Sequence, residues 1–403
     1  MGLTNRFIKY LRVDTESING SKIVPSSVGQ KDLVQILINE LKTIDLDMVE
    51  YSNGVIYAFK KSDYSVPYKS LGLIAHIDTY PLNCKGVVEP IVIDDYKGAK
   101  DISHIKSFPL AVVEELNDCL HHRLVFSKYS SNLGADDKAG VAEIVTAMER
   151  IKTNNIKTPD IYIALTCDEE VGLGSRLIDF KKYNPDYSIV LDGEFAGEIH
   201  IDNMSVFSCA IRVRGREYYV GRAKDIAKNA IDIIYEFMNE FSTEKKPKDS
   251  ENKEGFFNWG KIQGDSKNII LMCSAMSFEE EDINRRIQKI YDTCAKLNIK
   301  YGKGTISVRL PQGGYNCFCS NVNEEYVDII RNAMHCNNLE CKKIAFRGMT
   351  DSVYLREKGL HAITIGIGAS SFHSIYEWAS INDMEKTTNT IITLCSQKLD
   401  KNN

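Results

Sequence analysis

The 403-residue chain is 43% hydrophobic and 26% charged, values that are ordinary for a globular protein and that exclude a disordered or fibrous one. A chain of this length exceeds the size at which a single hydrophobic core stops growing, so we expect two domains. Its net charge of −5 argues against a surface that binds nucleic acid, and it contains no apolar run of the roughly 18 residues that span a membrane.

The N-terminal segment, residues 1–20, mixes charged and apolar residues and lacks the continuous apolar core of a signal peptide. We therefore expect a cytoplasmic protein. The 11 cysteines are odd in number and have no paired Cys-x-x-Cys spacing, so in a reducing compartment they are expected to be mostly buried thiols. The one close pair, Cys317 and Cys319, lacks the further ligands that a structural zinc site requires.

Short apolar runs alternate with helical patterns over the first half of the chain. The predicted strands cover residues 54–59, 71–76, 161–167 and 187–192, and apolar residues recur at helical spacing over residues 31–41 and 141–151. This alternation predicts an α/β sheet, whose active site usually lies beyond the carboxyl ends of its strands.

The pattern changes after residue 205. Residues 206–311 read as strand, helix, strand, helix and strand, with an exposed charged loop over residues 242–254, which indicates an inserted α+β domain. Helical patterns then return around a strand at residues 362–367. The predicted organisation is therefore one catalytic, metal-binding domain formed by residues 1–205 and 312–403, and an inserted domain at residues 206–311.

Acidic or imidazole side chains follow several of these predicted strands. Each has a local explanation as a strand-end turn, a helix cap or a solvated acidic turn. Because the carboxyl ends of the strands can meet at one rim of the sheet, the set together favours a metal centre. Its members are His76 and Asp78, Asp136 and Asp137, Asp168 to Glu170, Asp192, and His373 with Glu377 four residues later.

The chemistry of a metal centre gives several of these residues a possible role. A metal-bound imidazole commonly needs a carboxylate to hold its tautomer, and Asp78 is close enough in sequence to serve His76. The glycine-flanked pair Asp136 and Asp137 either caps the following helix or provides a carboxylate that bridges two metal ions. In the pair Glu169 and Glu170, one carboxylate can bind metal while its neighbour removes a proton from bound water.

The motifs, in the order in which they occur along the chain, resemble those of the M20 family of zinc peptidases, and the resemblance extends over nearly the whole chain. The resemblance implies a zinc-peptidase-like catalytic domain, with a mixed β-sheet flanked by helices, and an inserted α+β lid and dimerisation domain that closes over substrate. It is carried by residues 24–30, 76–79, 133–140, 168–172, 192–193, 347–351 and 373–377.

The resemblance also implies an activity, namely zinc-dependent hydrolysis of the N-terminal peptide bond of short peptides such as tripeptides. Glu169 would be the general base, Asp78 would orient a ligand, and a cis peptide bond would join Asp136 to Asp137. A homodimer through the lid is expected. Two zinc ions per subunit are implied, one held by His76 and Asp192, the other by Glu170 and His373, with Asp136 bridging them.

The inserted domain departs from the family pattern. Family members carry a histidine in a Gly-x-x-x-His-Pro-Gly segment after the first lid strand, but Tyr219 and Val220 stand at the histidine and proline positions here. A lid arginine is also replaced near residues 272–274. We predict that Tyr219 contacts substrate and that Arg347, whose motif matches, supplies the missing positive charge ahead of three ordinary surface arginines, Arg214, Arg216 and Arg222.

These departures leave two alternatives beside the peptidase. One is a zinc amidohydrolase that acts on another small amide, such as an acylated amino acid. The other is a catalytically weak or inactive relative that binds peptide or metal. Retention of Glu169 argues against the inactive relative, because a binding protein needs no general base beside its metal ligands.

Overall fold

The computed structural model describes residues 1–44, 46–82, 88–128, 131–310 and 322–401, so Cys317 and Cys319 lie outside the described residues. The chain divides into two compact units. The first unit comprises Met1–Ile201, Asn321–Ile344 and Thr350–Asn403, and the second comprises Asp202–Ser320 and Ala345–Met349.

The elements alternate as an α/β chain should, which confirms the predicted fold class. The helices are α1 (Leu3–Leu11), α2 (Val28–Thr43), α3 (Leu110–Glu115), α4 (Ala135–Thr153), α5 (Ala230–Asn239), α6 (Glu280–Tyr301), α7 (Glu324–Cys336), α8 (Asp351–Glu357) and α9 (Ile381–Cys395). The strands are β1 (Met48–Ser52), β2 (Val55–Lys60), β3 (Leu71–His76), β4 (Pro90–Ile93), β5 (Leu124–Ser127), β6 (Ile161–Thr166), β7 (Tyr187–Gly193), β8 (Glu198–Asn203), β9 (Ser205–Arg214), β10 (Phe256–Gly264), β11 (Asn268–Ser277), β12 (Ile306–Arg309), β13 (Lys342–Phe346), β14 (Ala362–Gly366), β15 (Ala369–Ser370) and β16 (Trp378–Ser380).

An eight-stranded mixed sheet forms the centre of the first unit, in the order β1-β2-β6-β3-β7-β14-β8-β13. Its four middle strands, β6, β3, β7 and β14, are parallel to one another. All six residues of β3 and all seven of β7 are buried, as expected for parallel strands covered on both faces. Their carboxyl ends therefore lie at one edge of the sheet.

Helix α4 packs on β3 and β7 near that edge. The close approach depends on Gly140, because a Cβ there would collide with the backbone oxygen of Leu191 and with a carboxylate oxygen of Asp137. The glycine thus brings the first turn of α4 against the end of β7. A second, four-stranded sheet in the order β15-β16-β5-β4 completes the strands of the first unit.

The second unit is built on a four-stranded sheet in the order β10-β11-β9-β12, and α5 and α6 contribute to its apolar core. Along β9, Phe207, Cys209, Ile211 and Val213 are buried at every second position, which is the pattern of a strand with one face in a core. The sequence analysis did not predict β10. This edge strand is exposed over its second half, so its apolar alternation is weak.

The predicted domain boundaries differ from these units at residues 202–205 and 345–349, and the predicted boundary between residues 311 and 312 lies outside the described residues. Ala345–Met349 belongs to the second unit, although the sequence assigned all of residues 312–403 to the first domain. Phe346 explains part of this, because its backbone oxygen accepts a hydrogen bond from Met204 N at 3.2 Å. The roles assigned to the two domains stay predictions.

Among the described residues, none of the helices combines the length and the apolar character that crossing a membrane would require.

Candidate metal centre

The five predicted metal ligands meet at the carboxyl ends of the parallel strands. His76 is the last residue of β3, and Asp192 is the last but one of β7. Asp136 lies in the first turn of α4, Glu170 in the short turn after β6, and His373 three residues after β15. The eight-stranded sheet, the first turn of α4 and the segment after β15 therefore bring the five candidate ligands together.

Asp136 lies between two imidazole rings. Its Oδ1 is 2.9 Å from Nε2 of His76, and its Oδ2 is 3.1 Å from Nε2 of His373. Asp192 Oδ1 is 3.6 Å from the same nitrogen of His76, while Glu170 Oε1 is 3.0 Å from that of His373. The five side chains thus form two donor groups that share the carboxylate of Asp136.

This donor set fits divalent metal ions. His76, Asp136 and Glu170 each offer one ligand atom, and these three atoms lie within 4.8 Å of one another. The same holds for the group of His76, Asp137 and Asp192. Imidazole nitrogen combined with carboxylate oxygen suits zinc and other first-row divalent ions. Asp137 is better placed as a support, because its two oxygens accept the backbone N–H groups of His76 at 3.0 Å and Gly140 at 3.2 Å.

Burial of so many carboxylates makes the centre electrostatically demanding. Burial raises the pKa of Asp192 to about 7 and that of Glu170 to about 8. Burial also opposes ionisation of Asp136, but hydrogen bonds from His373 and His76 hold its pKa well below the usual range. A bound cation would offset the crowded negative charge and favour the ionised acids.

Asp78 links the candidate ligand His76 to the loop that carries Glu169 and Glu170. Its Oδ1 and Oδ2 accept the backbone N–H groups of Glu169 at 3.0 Å and Glu170 at 3.1 Å, and the hydroxyl of Ser17 also donates to Oδ2. Nδ1 of His76 lies 3.1 Å from the backbone oxygen of Asp78 and 3.5 Å from its Oδ1. The residue is therefore placed both to orient the imidazole and to hold the loop.

Glu377 supports the turn that presents Asp136, a role that the sequence analysis did not assign. The side chain is 1% exposed, and its two oxygens accept the N–H groups of Gly134 at 2.7 Å and Asp136 at 3.0 Å. The only sequence signal was its place four residues after His373. The contact itself spans more than 240 residues, so no local pattern reveals it.

We expect Glu377→Gln to weaken metal binding roughly 10- to 100-fold, as is typical when a group that orients a ligand is altered. An amide has one acceptor oxygen, so one of the two backbone N–H groups would lose its partner. Competition with a chromophoric chelator would measure the affinity. Glu385→Gln, in the same region but bound to Arg150 at the surface, is the matched control, and equal affinities for the two variants would contradict the role.

Asp168 and Tyr80 were also missed as supports. Asp168 accepts hydrogen bonds from Ser26 N and from Gln30 Nε2, both at 2.8 Å, so it ties the 24–30 segment to the acidic loop. The ring of Tyr80 stacks on that of His373, with centroids 4.0 Å apart and planes inclined by 13°. This stacking restricts the orientation of the imidazole.

The two predicted substrate contacts, Arg347 and Tyr219, lie in the second unit. The guanidinium of Arg347 donates to the backbone oxygen and hydroxyl of Ser250 and to the backbone oxygen of Asn252, and it lies over the ring of Phe256 at 5.2 Å. These contacts give Arg347 a structural use within that unit. Tyr219 is 72% exposed. Their binding of substrate stays a prediction.

The cis peptide bond expected between Asp136 and Asp137 is present, as is a second between Val24 and Pro25.

Comparison with known proteins adds to this geometry. The sequence profile of peptidase family M20/M25/M40 matches residues 134–397. Peptidase T of Clostridium perfringens (strain ATCC 13124) is 34% identical over 394 residues, which cover 96% of this chain and 97% of that protein. Peptidase T of Geobacillus sp. (strain WCH70) is 33% identical over 404 residues, covering 97% of each chain.

Two solved structures share the fold. A tripeptidase from Staphylococcus aureus subsp. aureus Mu50 aligns over 98% of this chain and 97% of its own, with a TM-score of 0.75 and 20% identity. Aminopeptidase PepT from Bacillus cereus ATCC 10987 aligns over the same shares, with a TM-score of 0.71 and 17% identity.

Proposed function

The chain belongs to peptidase family M20/M25/M40, and from this premise we propose that it is a dizinc aminopeptidase that releases the N-terminal residue of short peptides. It is a peptidase, similar over nearly its whole length to proteins named peptidase T. The observation that carries the dizinc proposal is the position of Asp136, each of whose carboxylate oxygens lies about 3 Å from a different imidazole.

The proposed ligand assignment follows from the two donor groups. His76 and Asp192 would hold one ion, Glu170 and His373 the other, and Asp136 would bridge them. When bound, zinc would polarise the scissile carbonyl and lower the pKa of the attacking water. The protein's part is to fix the ligands, which Asp78 and Glu377 do through the backbone of the two turns that carry them.

We assign proton transfer to Glu169. Its backbone N–H is held by Asp78, beside the ligand Glu170, so its carboxyl group is carried by a supported turn. Burial, with the nearby charges of Asp351 and Asp192, raises the pKa of Glu169 well above its usual value. A carboxylate with a raised pKa is suited to accept a proton from water and to return it to the leaving amine.

A homodimer through the second unit and a cytoplasmic location complete the proposal. Both rest on the family resemblance and on the composition of the chain. Sedimentation velocity of the purified protein would report the oligomeric state directly.

A zinc amidohydrolase for another small amide is the second candidate. The observation behind it is Tyr219, which stands where a histidine is expected and so indicates altered recognition. The contacts of Arg347 with Ser250 and Asn252 do not separate the two candidates, because a peptide and an acylated amino acid both carry a carboxylate.

The deciding experiment measures bound zinc and then compares three substrates: a tripeptide, the same tripeptide with an acetylated N-terminus, and an acylated amino acid. For an aminopeptidase we expect at least two zinc ions per chain and release of the N-terminal residue from the free tripeptide only. Hydrolysis of the acylated amino acid alone would favour the amidohydrolase. Two bound ions with no turnover of any of them would overturn both enzymatic proposals and leave a binding protein.

A further inference from the structure

A second group of metal-ligating side chains lies in the first unit, and it shares no residue with the centre described above. Cys119, His122 and Asp383 each present one ligand atom, and the three atoms lie within 4.8 Å of one another. We propose that these three residues form an additional binding site for one zinc-like divalent ion.

Local structure explains why the cysteine and histidine meet. Cys119 ends a short 3-10 turn, Leu116–Cys119, and its backbone oxygen accepts the N–H of His122 at 3.0 Å. His121 has a φ of 66°, a left-handed conformation that turns the chain between the two ligands. The Cys-x-x-His spacing thereby places a sulfur and an imidazole on the same side of one turn, as in many zinc sites.

The third ligand comes from the start of α9. Ser380 caps this helix by accepting the N–H of Asp383 at 3.2 Å, and its hydroxyl also lies 2.9 Å from Nδ1 of His122. Oδ1 of Asp383 binds Nζ of Lys386 at 2.9 Å, while Oδ2 lies 3.4 Å from Nδ1 of His122. One carboxylate oxygen is therefore engaged by the lysine, and the other faces the imidazole.

The donor atoms indicate the class of ion. A thiolate, an imidazole and a carboxylate suit zinc or cobalt, whereas calcium and magnesium prefer sites made of oxygen alone. Bond lengths of about 2.0–2.3 Å place the ligand atoms of a tetrahedral zinc site roughly 3.5 Å apart. A spread of up to 4.8 Å therefore requires the side chains to close by about 1 Å, with water as the fourth ligand.

The surroundings permit an ion to enter and to be held. The side chains of His122 and Asp383 are 19% and 18% exposed, while Cys119 is buried. Burial raises the pKa of the Cys119 thiol to about 12, so the free thiol is protonated at neutral pH. Coordination would release that proton to solvent, as metal binding to a thiol generally does.

Such an ion would link the segment before β5 to the start of α9, at one end of the four-stranded sheet β15-β16-β5-β4. Strand β5 begins two residues after His122 and pairs with β16, so that Leu124 lies opposite Ser380. Strand β16 in turn begins one residue after Glu377, which holds the turn of Asp136. An ion at this site would therefore stabilise the strand that leads away from Glu377.

Cobalt titration of the apoprotein tests the proposal independently of peptidase activity. A cysteine thiolate bound to Co²⁺ gives a charge-transfer absorption in the near ultraviolet, and the five proposed ligands of the first centre contain no sulfur. We expect the amplitude of this band at saturation to correspond to one thiolate-bound cobalt ion per chain. Cys119→Ser is expected to abolish it, and His122→Gln to weaken cobalt binding at this site at least tenfold.

Two controls separate the sites. Cys336→Ser removes an exposed cysteine outside the group and is expected to leave the band unchanged. Asp136→Asn, which alters the first centre, is also expected to retain it. Absence of the band in the wild-type protein, its persistence in folded Cys119→Ser, or an unchanged cobalt affinity in folded His122→Gln would overturn the additional site without bearing on the dizinc proposal. Circular dichroism would confirm that each variant is folded.

Discussion

Glu169→Gln is expected to lower kcat for tripeptide hydrolysis by roughly 10²–10⁴-fold, the usual contribution of a general acid–base group. Glutamine has nearly the same shape but cannot accept a proton from water at neutral pH. The backbone N–H of residue 169 would still reach Asp78, so the turn that carries Glu170 should stay in place. Steady-state kinetics on a free tripeptide, together with metal analysis of the same preparation, would measure the effect.

The metal content distinguishes this role from a structural one. Glu169→Gln is expected to bind as much metal as the wild type, because Glu169 is not among the proposed ligands. Glu114→Gln, an exposed position in α3, serves as the matched control and should leave kcat unchanged. If Glu169→Gln retained wild-type turnover, another residue would have to move the proton.

Asp136→Asn is expected to lower the number of ions bound at the centre that it shares with His76 and His373 from two to one or none, and to remove hydrolysis with it. The substitution replaces one carboxylate oxygen by an amide nitrogen, which has no lone pair to offer a metal. It also removes the negative charge that faces both His76 and His373 at about 3 Å. Because altering a group that merely orients a ligand costs about 10–100-fold in affinity, loss of the shared ligand should exceed about 100-fold.

Isothermal titration of the apoprotein with zinc would resolve the two binding steps. Asp32→Asn, an exposed residue in α2, is the control for the same chemical change away from the centre. A variant at position 136 that still bound two ions with wild-type affinity would overturn the bridging role of Asp136. A helix-cap role does not explain this carboxylate, because the N–H of Gly140 is accepted by Asp137 instead.

In the second unit, the contacts of Arg347 bear on its predicted role in binding substrate. An arginine free to bind a substrate carboxylate should have its fork of N–H donors available. Here that fork is bonded to Ser250 and Asn252 and lies over Phe256. Substrate selection is therefore the part of the proposed function that depends most on direct assay.

The strands that carry the centre could be predicted because their composition reflects their burial. Residues 71–76 were predicted as a strand, and β3 has those bounds; residues 187–192 fall within β7. Both strands carry apolar residues on both faces, as is typical of parallel strands that are covered on both sides. Strand β10 was missed for the opposite reason, because an edge strand with an exposed half has no such pattern.

The sequence by itself determined the α/β class, the family and the set of ligand types, because metal binding needs imidazole and carboxylate groups and these stand out where apolar strands end. Only the tertiary structure decided which groups support them. The contacts of Glu377 with Asp136, of Asp168 with Ser26 and of Cys119 with Asp383 join residues more than 100 positions apart. Such contacts depend on how elements pack in three dimensions, and a one-dimensional pattern carries no record of that packing.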